Sequence, residues 1–231
     1  MPHSSTVKYN KHLSIFYLTL DSHKDHAPTR MTRAGKIWEK KLYELYKGLL
    51  TVQDVAIDIG GYIGSHSLPM SMLCNQVYTF ECNPELHNII NENIKRNNRT
   101  NIKLFNIALG NNETDLTFYN RHDGTSRFSQ REVKGEPIKL TTKALDNILP
   151  DLEHCKLIKI DVEGHEYNVL EGAKQLINRT RPYIFIETFK KNRAKLEAWC
   201  LDNCYQFQHL GGDDFLLTAL ELSTQTTILV V

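Results

Sequence analysis

Val55-Ala-Ile-Asp58-Ile-Gly60-Gly61-Tyr62-Ile-Gly64 is an apolar run that breaks into glycines. A short Val/Ala/Ile run bounded by glycine suits a buried parallel strand, and glycines where strand meets helix let backbone amides approach a ligand. A second apolar run, Gln76-Val-Tyr-Thr-Phe, ends at Glu81. That acid falls 23 residues beyond Asp58, where α/β sheets place the carboxylate that holds ribose hydroxyls. The pair predicts a nucleoside-binding turn. The bland alternative is an ordinary tight turn, and the acid at the second strand end weighs against it.

The spacing of the glycines narrows the ligand. A dinucleotide fingerprint needs glycine at the first, third and sixth positions, and from Gly60 those are Gly60, Tyr62 and Ser65. A phosphate loop needs Gly-Lys-Ser/Thr after four residues, where this chain has Ser65, His66 and Ser67. Both fail. Asp-x-Gly-x-x-x-Gly with an acid ending the next strand suits a ligand with an amino-acid part and an adenosine part but no phosphates. S-adenosyl-L-methionine fits that description.

At 231 residues, 41% hydrophobic and 24% charged, the chain can bury one sizeable core. Its formal net charge of +1 predicts no general attraction to nucleic acid or to an anionic membrane. Cys74, Cys82, Cys155, Cys200 and Cys204 are scattered without a Cys-x-x-Cys pair, so they read as reduced and mostly buried. Neither a leader peptide nor 18 consecutive apolar residues are evident, and a cytoplasmic protein is expected.

Along the chain, strand-like and helix-like segments alternate, as in a mostly parallel sheet covered on both faces. Residues 1–33 read as an N-terminal extension with one apolar run at Leu13 to Leu18. Residues 34–222 read as one catalytic domain and 223–231 as a tail. The spacing of Ile37, Trp38, Leu42, Leu45 and Leu49 predicts a helix over Ala34 to Leu50. A helix beginning near Ser67 follows, because Pro69 fits best in a first turn. Pro84 opens another helix to about Asn97. Asp115 to Lys139 reads as an irregular insert with one edge strand and a polar loop, His122 to Arg127, near the substrate. Strands at Lys156 to Asp161 and Pro182 to Glu187 flank a helix from Glu166 to Ile177. A helix at Arg193 to Asn203 and a hairpin closed by Gly211-Gly-Asp-Asp214 complete the pattern. The expected fold is α/β and Rossmann-like: about seven strands, mostly parallel, with an antiparallel hairpin at the C-terminal edge.

The second chemical cluster is Lys159-Ile-Asp161-Val-Glu163-Gly-His165-Glu166. In an extended segment residues two apart share a face, so Asp161, Glu163 and His165 could converge at the carboxyl edge of the sheet. Methyl transfer to oxygen needs an aligned hydroxyl and a group to take its proton. His165 is the preferred acceptor, with Asp161 and Glu163 as further catalytic candidates, because its ordinary pKa lies near neutrality. The same three residues could hold a divalent cation. Charge-paired loop carboxylates are the favoured reading, and no metal is expected.

With these clusters placed, the chain closely resembles the FkbM family of methyltransferases, within the S-adenosylmethionine-dependent Rossmann-like class. The resemblance spans roughly Gly35 to Leu220 and rests on several motifs in order. They are Trp38-Glu39, Asp58-Ile-Gly-Gly-Tyr-Ile-Gly64, Phe80-Glu81-Cys-Asn-Pro84, Asn106-Ile-Ala-Leu-Gly110, Leu145-Asp146, Lys159 to Glu166, Glu171-Gly-Ala173, and Arg181-Pro182 leading to Glu187. It implies that Gly60, Gly61, Tyr62 and Gly64 curl around the methionine part of the donor while Asp58 steadies the turn. Glu81 would bind the ribose, Cys82, Asn106 and Ile107 would flank the adenine, and Asp161 would face the donor. Trp38, Glu39, Ser126, Arg127 and Glu187 are the residues expected to meet the acceptor. Gly61-Tyr62 stands where the family usually has Ala-Asn, and Cys82 where it usually has Pro. The family mostly methylates hydroxyls on sugars and related natural products, so a small-molecule or oligosaccharide acceptor is expected.

The runner-up is an mRNA-cap ribose methyltransferase, for which Lys159, Asp161, Glu187 and Lys190 offer the residue types. Lys159 is expected to point away from Asp161, and the balanced charge lacks an RNA footprint. A catalytically inactive binding subunit is the third reading.

Overall fold

A computed structural model describes residues 2–121, 127–128 and 134–221. The chain starts with a hairpin of β1 (His3–Lys8) and β2 (Ser14–Thr19), then the helix α1 (Ala27–Arg33). The helix α2 (Lys40–Leu49) leads into the sheet strands β3 (Val55–Ile59), β4 (Gln76–Phe80) and β5 (Ile102–Phe105), joined through the helices α3 (Ser67–Met70) and α4 (Pro84–Arg96). An insert contributes β6 (Ala108–Leu109), β7 (Asp115–Asn120), β8 (Arg127–Phe128) and β9 (Glu136–Lys143). After α5 (Leu145–Ile148) come β10 (Leu157–Ile160), α6 (Glu166–Gly172), α7 (Lys174–Thr180) and β11 (Tyr183–Glu187). The described chain closes with α8 (Arg193–Asp202), β12 (Tyr205–Gly211) and β13 (Asp214–Ala219).

The main sheet has seven strands in the order β12-β13-β11-β10-β3-β4-β5, parallel except for the β12-β13 hairpin at one edge. Alternation along the strands divides the core between the two faces. Ile57, Ile59, Ile158, Ile160, Ile184 and Ile186 pack with α6, α7 and α8, while Ala56, Val77, Leu157 and Phe185 pack with α2 and α3. Helices thus cover both faces, as the alternating sequence pattern predicts.

Three local features depart from the expected outline. The leading helix starts at Lys40, with Glu39 as N-cap in the left-handed region at φ 44°, so Trp38 and Glu39 sit before the helix and not on it. The insert is a four-stranded sheet, β6-β9-β7-β8, where one edge strand was expected. Most residues of β9 are exposed or half-buried, and such a strand carries little hydrophobic periodicity to be read. The helix expected over Glu166 to Ile177 is two helices that break at Ala173, next to a glycine packed against backbone. A Cβ at Gly172 would fall 1.9 Å from the Gly110 carbonyl oxygen, and Ala173 at φ −111°, ψ 9° leaves the helical region.

The hairpin packs on α4 through two asparagines one turn apart. Asn93 Oδ1 accepts from the Leu18 amide at 2.6 Å and its Nδ2 donates to the Leu18 carbonyl at 3.1 Å. Asn97 does the same for Phe16 at 2.8 and 2.7 Å. The two side-chain amides satisfy the free edge of β2 as a neighbouring strand would.

Candidate active site

Asp58, fully buried, accepts a short hydrogen bond from the Ser67 hydroxyl, which itself accepts from Thr79 at 2.9 Å. Next, the chain turns sharply at Gly60, φ 88°, whose amide and that of Gly61 both donate to the Phe80 carbonyl, at 3.0 and 3.1 Å. A Cβ at Gly60 would lie 1.8 Å from the Asp161 carbonyl oxygen. Glycine at this place therefore serves the crossing of two strand-end loops. Tyr62 follows at φ 53° with its amide aimed at Glu81. Its hydroxyl pairs with Thr29 at 2.7 Å, and the rings of His26 and His23 stand edge-on to it.

Glu81 is buried, and its two oxygens accept from the Tyr62 amide at 2.9 Å and the Asn83 amide at 2.8 Å. Burial pushes its pKa up to about 7, against the pull of those amides. Asn106 Nδ2 donates to the carbonyls of Glu81 and Cys82 at 2.8 and 3.2 Å, bracing the loop from behind.

A cavity of about 320 Å³ runs along the carboxyl ends of β4, β3, β10 and β11. Glu81, Cys82 and Ile107 line it beside β4, and Gly60 and Tyr62 beside β3. Asp161 and Glu163 line it after β10, Glu187 at the end of β11, and Trp38 and Glu39 from the segment before α2. Of the other residues singled out in the sequence, Asp58, Gly61, Gly64 and Asn106 do not line it. Ser126 lies outside the described residues, and of Arg127 only the backbone is described.

Lys159 lines the same cavity and faces Asp161, contrary to the expectation that it points away. The strand stays regular to Ile160, so residues 159 and 161 share a face. Its Nζ, with the side chain 1% exposed, is 3.3 Å from Asp161 Oδ2 and 3.7 Å from Asp58 Oδ1. Burial opposes its charge, but Asp161 and Asp58 prevail and hold its pKa above the ordinary lysine value. Beside it, burial and then Asp161 and Asp214 raise the pKa of Glu187 well above the carboxylate range. Lys190 stands on an exposed turn away from the cavity.

Of the three residues expected to converge, Asp161 and Glu163 line the cavity and His165 does not. Glu163 turns into the left-handed region at φ 56°, which ends the two-residue alternation. His165 becomes the N-cap of α6 and is not among the residues lining the cavity; burial lowers its pKa. Among the described residues no three His, Cys, Asp or Glu side chains are placed to hold a metal ion.

Sequence reasoning passed over His66, Lys159 as a cavity group, and the wall built by His23 and His26. His66 is buried; its Nε2 lies 3.0 Å from Glu39 Oε2 in an ion-pair contact, and its Nδ1 is hydrogen-bonded with the Tyr46 hydroxyl at 3.0 Å. The only signal for His66 was its place just after the glycine turn.

A parallel sheet in this order with a nucleoside-type carboxylate beside a glycine turn is the arrangement of Rossmann-like methyltransferases. The family model for the methyltransferase FkbM domain matches residues 58–210, and the chain belongs to that family. A 130-residue stretch is 32% identical to the hexuronic acid methyltransferase AglP of Haloferax volcanii, covering 54% of this chain and 53% of that one. The chain thus spans about half the length of that relative. Among solved structures, the methyltransferase FkbM of Methylobacillus flagellatus KT superposes with a TM-score of 0.55 at 18% identity, over 87% of this chain and 55% of that chain. SMU.1697c of Streptococcus mutans, solved in complex with SAH, gives 0.50 at 12% identity over 77% and 94%. No helix among the described residues is long and apolar enough to cross a membrane.

Proposed function

We propose that this protein transfers a methyl group from S-adenosyl-L-methionine to an oxygen of an acceptor, a hydroxyl of a sugar in a glycan or glycoconjugate. The observation that carries this reading is Glu81, a buried carboxylate fixed by the amides of Tyr62 and Asn83 at the edge of the cavity. Each carboxylate oxygen has a second lone pair, so the group can accept from both ribose hydroxyls without losing its backbone donors. Cys82 and Ile107 offer an apolar flank for adenine, and the turn at Gly60 to Tyr62 lies between them and the carboxylates after β10. The residues fit the donor. When bound, S-adenosyl-L-methionine supplies an electrophilic methyl on a sulfonium.

Asp161 and Glu163 are assigned here to the methyl-donor end, and Trp38 and Glu187 to the acceptor. The glycan preference rests on the AglP relative. The test is calorimetric titration with S-adenosyl-L-methionine and S-adenosylhomocysteine, followed by transfer of labelled methyl to neutral and hexuronic-acid oligosaccharides. Binding of both nucleosides and label stable to mild alkali, as an ether is, are expected. Alkali-labile label would move the acceptor oxygen to a carboxyl group, and failure to bind either nucleoside would remove the reading.

A further inference from the structure

We infer that Glu39 is the proton acceptor of the transfer and that His66 and Tyr46 are the positioning residues that aim it. The inference rests on the methyl transfer to a hydroxyl proposed above. Tyr46, His66 and Glu39 form a chain from the protein interior to the cavity. Tyr46 is fully buried, His66 is 5% exposed, and Glu39 lines the cavity with about a quarter of its side chain exposed.

The hydrogens of this chain can be assigned from its ends. A carboxylate only accepts, so with the imidazole neutral the ring proton is assigned to His66 Nε2, which lies 3.0 Å from Glu39 Oε2 in an ion-pair contact. Nδ1 is then an acceptor, and the Tyr46 hydroxyl must donate to it at 3.0 Å. Burial holds the Tyr46 pKa well above its ordinary value, which keeps that hydroxyl a donor. Both imidazole nitrogens are thus committed, so His66 orients Glu39 and does not itself take a substrate proton. Glu39 Oε1 makes no hydrogen bond among the described residues.

Of the other carboxylates lining the cavity, Asp161 is engaged by Lys159, Glu81 by two backbone amides, and burial raises the pKa of Glu187 well above the carboxylate range; Glu163 is the competing candidate that the test below includes. Glu39 also sits at φ 44°, a conformation non-glycine residues take at a cost and one concentrated at functional sites. In the step, the acceptor oxygen forms its bond to the methyl carbon as the carbon–sulfur bond breaks. The electron pair of that bond stays on sulfur, giving neutral S-adenosylhomocysteine, and the hydroxyl proton passes to Glu39.

The test uses Glu39→Gly, which suits the positive φ and so preserves the backbone, with Glu39→Gln and Tyr46→Phe beside it. Wild-type transfer to the oligosaccharides named above is read first; its absence would remove the proposed function and this inference together. With transfer established, Glu39→Gly and Glu39→Gln should lower kcat by about 10²- to 10⁴-fold, with S-adenosylhomocysteine affinity by calorimetry unchanged. Added formate should restore part of the Glu39→Gly turnover. Tyr46→Phe should lower kcat by about 2- to 10-fold with KM unchanged. Nitrogen-15 NMR of the wild-type protein should show His66 as the Nε2–H tautomer. A kcat loss below tenfold in Glu39→Gly, a loss that formate leaves untouched, or a larger loss in Glu163→Gln would overturn the assignment.

Discussion

The amide of Tyr62 donates to Glu81 Oε2 at 2.9 Å, so the glycine turn after β3 and the acid after β4 are one hydrogen-bonded unit. A carboxylate held this way is pre-oriented for a ligand that bridges the two strand ends. Glu81→Ala should weaken S-adenosyl-L-methionine binding by about 1.5 to 3 kcal/mol. Isothermal calorimetry on the folded variant checks this, and unchanged affinity would remove Glu81 from the ribose site.

The same residue should leave a signature in stability. Its folded pKa, about 7, lies above the ordinary 4.5 because of burial. Between those values the folded state holds the proton more tightly than the unfolded chain. Its contribution is therefore greatest below pH 4.5 and is lost as pH rises through 7. Glu81→Gln does not titrate, so its Tm relative to wild type should rise from pH 5 to pH 8. A pH-independent difference in Tm would contradict the buried-carboxylate account.

Gly60→Val should act on stability as well as on the cavity, because a Cβ at Gly60 meets the Asp161 carbonyl. The variant should lose about 2 to 5 kcal/mol through a left-handed backbone and a steric overlap. Chemical denaturation measures it; a variant as stable as wild type would mean the loops separate at little cost.

Lys159→Met should destabilise by about 3 to 5 kcal/mol, because it strands Asp58 and Asp161 without their shared cation. The double variant with Asp58→Asn should recover part of that loss in the same denaturation experiment. Additive losses would show the pair to be uncoupled.

His165→Ala should change turnover by less than tenfold and leave donor affinity intact, since His165 caps α6 away from the cavity lining. Steady-state kinetics decides this. A 10²-fold fall would return the proton to the segment after β10.

The half of the cavity around the glycine turn was legible because it is local. The apolar run to Asp58, the glycine turn, Glu81 at the next strand end and Pro84 opening α4 each follow from short-range rules, and each stands where those rules put it. What stayed hidden depends on distant chain segments. Gly172 packs against the Gly110 carbonyl beside the break at Ala173, and nothing between residues 166 and 177 announces that distant contact. His66 gains its place from Tyr46, whose spacing in α2 reads as ordinary core. The two-residue alternation holds for Lys159 and Asp161, where the strand stays regular to Ile160, and breaks before His165 at the reversal of φ at Glu163.

The two asparagine clamps on β2 bear on the order in which the site is assembled. Residues 16 and 18 find their partners 81 and 75 positions further along the chain. During synthesis the hairpin therefore leaves the ribosome long before α4 exists to receive it. The wall that His23 and His26 build is translated early and closed late, by contacts of high loop-closure entropy.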